Sequence, residues 1–79
     1  MEPITVYSSD HCGYCTAAKK LLEQKEFEYS EINVSHDPEK RQEMMEKSRQ
    51  RSVPQIFFGD KHIGGYTDLV AYFKQQNTS

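Results

Sequence analysis

No stretch of this sequence stays apolar for more than a few residues, far short of the roughly 20 that a membrane-spanning helix needs. An excess of one charge is missing as well: ten Lys and Arg face twelve Asp and Glu, a formal charge of -2. That balance gives no basic field to draw the chain onto nucleic acid or anionic lipid, so neither a nucleic acid nor a membrane is an expected partner. Met1-Glu2-Pro3 leads directly into a strand-like segment, without the charged and apolar regions of a signal peptide. Repeats, linkers and low-complexity tracts are absent. What is present, 79 residues of which 35% are hydrophobic and 28% charged, is expected to form one soluble domain over residues 1–79 with a single core. The expected compartment is the reducing cytoplasm.

Cysteine is scarce, and the two that occur are adjacent in function space: Cys12-Gly13-Tyr14-Cys15. A disulfide closing so short a loop stabilises a fold by only about 2 kcal/mol on chain-entropy grounds, so a structural staple is a poor reading. Structural zinc wants about four ligands, and His11, His36 and His62 do not form the second paired cluster of a closed site. The remaining reading is a redox dithiol, in which one thiol attacks a disulfide and the other resolves the mixed disulfide.

The surrounding pattern places that dithiol. Ile4-Thr5-Val6-Tyr7 is β-branched and aromatic and reads as a strand, followed by turn and cap residues Ser8-Ser9-Asp10-His11. From Tyr14, residues Ala17, Ala18, Leu21 and Leu22 recur on one helical face. Cys12 therefore lies at a helix start, where unpaired N–H groups and the positive end of the dipole favour a thiolate. Residues 27–34, from Phe27 to Val34, alternate as a second strand. Asp37-Pro38-Glu39 opens a second helix, which is predicted to run to about Gln50 and to bury only a thin edge at Met44 and Met45. Gln55-Ile56-Phe57-Phe58, a turn at Gly59-Asp60 and Lys61-His62-Ile63-Gly64 read as a hairpin opened by Pro54. The stripe Tyr66, Leu69, Val70, Phe73 marks a last helix, with the tail from Gln75 to Ser79 expected to fray. The predicted order is βαβαββα.

On these residues the chain resembles a glutaredoxin. The resemblance rests on Cys12-Gly13-Tyr14-Cys15, Lys40-Arg41, Ser52-Val53-Pro54 (the family has Thr-Val-Pro) and Gly64-Gly65-Tyr66-Thr67-Asp68 (the family has Gly-Gly, two variable residues and Asp). It implies an α/β, thioredoxin-like fold with a four-stranded mixed sheet flanked by helices. It further implies a glutathione-dependent thiol-disulfide oxidoreductase acting on glutathionylated or disulfide-containing proteins, with Cys12 as nucleophile and Cys15 as resolving thiol. Cys15 has the alternative of a buried packing thiol.

The resemblance also assigns glutathione contacts. Val53, before a proline that the family holds in cis, would offer its backbone to the cysteinyl portion, with Ser52 and Pro54 shaping the same edge. Asp68, with Gly65 and Thr67 at a helix start, would meet the γ-glutamyl amine and carboxylate, or act only as a helix cap. Arg41 would reach the glycyl carboxylate, or be one more solvated surface charge. Tyr14 would flank the bound sulfur, or pack in the core. Two departures stand out. Many relatives have a lysine where this chain has Ser9, a loss that His11 would replace only in part, by charging at low pH, or not at all as a solvent-exposed loop histidine. Dithiol members usually have proline where this chain has Gly13, and relatives lacking it include members that hold a [2Fe-2S] cluster between two subunits through the first cysteine and glutathione. The expected state is a monomer, or such a cluster-bridged dimer with Cys12 as its ligand. A donor of electrons to ribonucleotide reductase, coupled to thioredoxin reductase, is the third reading.

Overall fold

The computed structural model describes residues 3–77. Its elements run in the predicted order: β1 (Ile4–Ser8), α1 (Gly13–Gln24), β2 (Ser30–Asn33), α2 (Pro38–Ser48), β3 (Gln55–Phe58), β4 (Lys61–Gly64) and α3 (Tyr66–Asn77). One four-stranded sheet holds them in the order β2-β1-β3-β4. β1 is parallel to β2 and antiparallel to β3, and β3 and β4 form the hairpin, so the sheet is mixed.

The period-2 alternation of the central strands divides two cores. On one face Ile4, Val6, Ile56 and Phe58 meet Ala18 and Leu22 of α1 and Leu69 and Phe73 of α3. On the other, Tyr7 and Phe57 meet Val34 and Met44 under α2. The sheet is thus a middle layer, and β1, covered on both faces, delivers its C-terminal end to the loop that carries Cys12. No helix among the described residues is long and apolar enough to cross a membrane.

Two boundaries differ from the sequence reading by a single residue, Ser8 belonging to β1 rather than to the turn and Val34 falling just past β2, and three differ by more. The second strand begins at Ser30 rather than Phe27, because Phe27 is used to close α1. Its N–H donates to the Leu22 carbonyl at 3.0 Å while the N–H of Glu26, at φ 63°, donates to the Glu23 carbonyl at 3.0 Å. This is a Schellman closure with its hydrophobic contact between Phe27 and the last turn. α2 stops at Ser48, since Arg49 takes a left-handed conformation (φ 60°) and the buried Ser48 hydroxyl donates back to the Met44 carbonyl at 2.7 Å. α2 buries one thin edge, at Met44 as expected but with Ser48 beside it, Met45 being only half-buried, and Asp37 caps it by accepting from the Lys40 N–H at 3.1 Å. Finally, α3 continues through Gln75 to Asn77 where fraying was expected; Thr78 and Ser79 lie outside the described residues.

Candidate active site

Three chain segments far apart in sequence converge where β1 ends. The first carries the cysteines. Cys12 is the N-cap of α1, in an extended conformation (φ -115°, ψ 107°), and its sulfur accepts the Cys15 N–H at 3.2 Å. A helix start leaves its first N–H groups without intrahelical acceptors, and here a sulfur takes the place that a Ser or Asp oxygen usually fills. Cys12 is half-buried, whereas Cys15, one turn further on, is 1% exposed. Burial pushes the Cys15 thiol up to about 12, and its hydrogen bond with Cys12 pushes it the same way. The pair is therefore asymmetric: one sulfur is reachable, the other enclosed and held protonated at neutral pH.

The second segment is the loop entering β3. Val53 and Pro54 are joined by a cis peptide bond. The Val53 carbonyl lies 3.9 Å from the Cys12 sulfur, within reach of its S–H. Among the described residues the Val53 N–H has no hydrogen-bond partner. Ser52 is exposed, and its carbonyl accepts from the Gln55 side chain at 3.0 Å.

The third segment is the turn into α3. Gly64 sits at φ 120°, and a side chain there would overlap the Asp68 carboxylate. At Gly65 a Cβ would lie 3.5 Å from the Pro54 carbonyl, an ordinary van der Waals contact, so the helix start packs beside the Val53-Pro54 loop without needing a glycine there. The Gly65 carbonyl accepts the first helical bond, from Leu69 N–H at 3.0 Å, which makes Gly65 the N-cap. Asp68 reaches back to accept the Gly65 N–H at 3.0 Å, the acid half of a capping box. Asp68 and Thr67 are both exposed in that first turn.

Tyr14 bridges the first and third segments. Its ring is 66% exposed and lies 5.9 Å from the Tyr66 ring, so it borders the site and is not a core residue. Arg41 stands apart: it is exposed on α2, with no ion-pair partner among the described residues, and no contact joins it to the cysteines. His11 is exposed at φ 57°. Gly13 is the first residue of α1, and a Cβ there would meet nothing within 4 Å, so the extra conformational freedom expected of this glycine is not used. No group of three or more His, Cys, Asp or Glu side chains among the described residues converges to hold a metal.

One residue beside the site escaped the sequence reading. Gln55, read only as the first residue of a strand, is fully buried. The available signal was a carboxamide opening an otherwise apolar strand, Gln55-Ile56-Phe57-Phe58.

Comparison with known proteins agrees with this arrangement. The glutaredoxin family model matches residues 4–63. The chain is 49% identical over 70 residues to a glutaredoxin of Neisseria meningitidis serogroup A, covering 87% of this chain and 82% of that one. It is 39% identical over 71 residues to glutaredoxin 3 of Escherichia coli K12, covering 90% and 86%. Among solved structures, a buckwheat glutaredoxin–glutathione complex superposes with a TM-score of 0.85 at 31% identity, over 95% of this chain and 71% of that one. With the pattern, the fold and these relatives in agreement, the chain belongs to the glutaredoxin family and has its thioredoxin-like fold.

Proposed function

We propose that this chain, acting as a single domain in the cytoplasm, is a glutathione-dependent thiol-disulfide oxidoreductase that reduces glutathionylated and disulfide-containing proteins. The observation that carries the reading is the asymmetric pair: a half-buried Cys12 sulfur on a helix N-cap, accepting the Cys15 N–H at 3.2 Å, above a Cys15 that is 1% exposed. Relatives named glutaredoxins, one of them solved with glutathione, support it.

The chemistry is thiol-disulfide exchange. Cys12, as thiolate, attacks the glutathione sulfur of a mixed disulfide. The substrate sulfur leaves with the electron pair of the broken S–S bond and takes a proton, and Cys12 is left joined to glutathione. A second glutathione thiolate attacks that glutathione sulfur, freeing Cys12 and producing oxidised glutathione. For a protein disulfide, Cys15 gives up its proton and attacks Cys12, releasing the reduced substrate. The resulting Cys12–Cys15 disulfide is then reduced by two glutathiones.

The unpartnered Val53 N–H and the Val53 carbonyl would pair with the cysteinyl main chain of glutathione, as one strand pairs with an edge. Ser52, Pro54 and Gly65 shape that edge. Asp68 and Thr67, at the start of α3, would take the γ-glutamyl end, and Tyr14 would cover the sulfur. Arg41 would serve the glycyl carboxylate through its long side chain.

The test is a pair of coupled assays, with glutathione plus glutathione reductase and with thioredoxin reductase. Turnover only in the first supports the reading; turnover only in the second replaces it with the ribonucleotide-reductase donor. Cys12→Ser is expected to abolish all turnover. Cys15→Ser is expected to keep deglutathionylation and lose reduction of protein disulfides.

A [2Fe-2S] role draws less support. With Cys15 enclosed, each chain has one thiolate to give, Cys12, and the remaining ligands must come from a second subunit and two glutathiones. Exposed Gly13 leaves room beside Cys12 for such a neighbour. Anaerobic reconstitution with iron, sulfide and glutathione, followed by sizing, decides it: a colourless monomer removes the cluster.

A further inference from the structure

Behind the Val53 loop lies a polar chain centred on the buried Gln55 that the exchange chemistry does not itself use. The Gln55 carboxamide, 0% exposed, has every polar atom committed. Its nitrogen donates to the Ser52 carbonyl at 3.0 Å and to the Gln50 side-chain oxygen at 3.0 Å, with the Ser52 hydroxyl 3.3 Å away. Its oxygen faces His62 Nε2 at 2.7 Å. Because the Ser52 carbonyl can only accept, the amide nitrogen is the atom that faces it, which leaves the oxygen to accept from His62 Nε2. His62 is itself fixed, half-buried with its ring 4.9 Å from that of Phe57.

The consequence follows from peptide geometry. Val53-Pro54 is the one cis peptide bond of the described chain, so the bond between Ser52 and Val53 is trans. In a trans peptide the carbonyl and the N–H point in opposite directions across one rigid plane. Gln55 pulls the Ser52 carbonyl inward, and the same plane therefore turns the Val53 N–H away from the protein interior. That N–H is left unpartnered, and it belongs to the residue whose carbonyl lies 3.9 Å from the Cys12 sulfur. Burying a carboxamide costs free energy unless its bonds are made. Here they are made to residues 50–52 and to β4, so the carboxamide stiffens the loop against the hairpin.

We propose that Gln55, anchored by His62, is a positioning residue that aims the Val53 N–H at the main chain of a disulfide substrate's cysteinyl residue. The proposal rests on the glutathione reading above and extends it. Gln55 selects for disulfides that carry a peptide backbone next to sulfur, and it has no part in the reactivity of Cys12 toward small disulfides.

Single-turnover rates of the reduced 79-residue chain test this with three probes: a glutathionylated peptide, the same peptide capped by mercaptoethanol, and dithiodipyridine, which has no peptide bond. Gln55→Met is expected to slow the glutathionylated peptide about tenfold, the scale of one lost hydrogen bond. The dithiodipyridine rate should stay within about twofold, as for a change that does not touch the reacting atoms. His62→Phe keeps a ring against Phe57 and removes only the anchor, so its loss should be smaller and equally selective. Equal slowing of the glutathionylated peptide and dithiodipyridine, or no slowing of the glutathionylated peptide, overturns the proposal. If a thermal melt shows Gln55→Met to be unfolded, His62→Phe decides alone, and an unselective or absent effect overturns the proposal. A wild-type protein that reacts no faster with the glutathionylated peptide than with its mercaptoethanol-capped form overturns the glutathione reading itself, an outcome distinct from failure of the variants.

Discussion

At the residue scale the two thiols are separated by exposure more than by distance. Cys12 occupies a cap position, where its sulfur takes an N–H that α1 cannot satisfy. Cys15 is enclosed, and burial with the Cys12 hydrogen bond holds it protonated up to about 12. Iodoacetamide at neutral pH is therefore expected to label Cys12 once and to leave Cys15 free until denaturant is added; mass spectrometry showing Cys15 labelled first in the folded protein contradicts the assignment. The residue between them invites a second test. Gly13 is the first helical residue, its N–H has no partner among the described residues, and Cys12 already holds the extended conformation a following proline requires. Gly13→Pro is expected to raise stability by about 0.4–1 kcal/mol, through a less flexible unfolded chain. A lower melting temperature would show that the turn needs the glycine.

At the element scale, both α1 and α2 end on non-glycine residues in left-handed conformations, Glu26 at φ 63° and Arg49 at φ 60°. An L side chain there crowds its own carbonyl. Glu26→Gly and Arg49→Gly are each expected to stabilise the fold by about 1 kcal/mol, read as a higher melting temperature. α3 starts differently, and the observed cap role of Asp68 can be separated from the ligand role proposed for it. Asp68→Ala removes the acceptor for the Gly65 N–H and is expected to cost about 1 kcal/mol of stability. Asp68→Asn keeps an acceptor oxygen and loses the charge. If Asp68→Asn retains the wild-type melting temperature but has a raised KM for glutathione, the carboxylate serves the ligand; an unchanged KM makes it a cap alone.

For the whole molecule, the alkaline limb of stability reports on the packing around several protons at once. Tyr7, whose hydroxyl donates to Glu43 at 2.7 Å, is pushed up to about 12, chiefly by burial. Tyr29 is pushed up to about 12, chiefly by donating to Glu23, and Cys15 to about 12 by burial. In each case the folded state keeps a proton that the unfolded chain releases, from about pH 9 for the thiol and about pH 10 for the tyrosines. Their contribution is whole below those values and is lost as pH rises toward 12. Melting temperatures are expected to fall steadily over that range, and Tyr7→Phe is expected to flatten the fall. An equal slope in the variant would remove Tyr7 from the account.

The local chemistry of this protein was legible in its residues. Cys12-Gly13-Tyr14-Cys15 at a helix start, the Asp37-Pro38 cap, the hairpin around Gly59-Asp60 and the stripe from Tyr66 to Phe73 each depend on neighbours within a turn or two, and sequence spacing reports such neighbours directly. The glycine pair before Asp68 was readable for the same reason. Phe27 was misread as strand because its alternation with Tyr29 suits a strand as well as a helix closure, and only the bond to Leu22 separates the two. What tertiary structure alone decided is the assembly of the site. The Cys12 sulfur and the Val53 carbonyl are 41 residues apart in sequence and 3.9 Å apart in space because β1 lies against β3. The Gln55–His62 contact exists only because the β3–β4 register sets Phe57 opposite His62. Pairing register is a property of two strands together, and no single segment carries it.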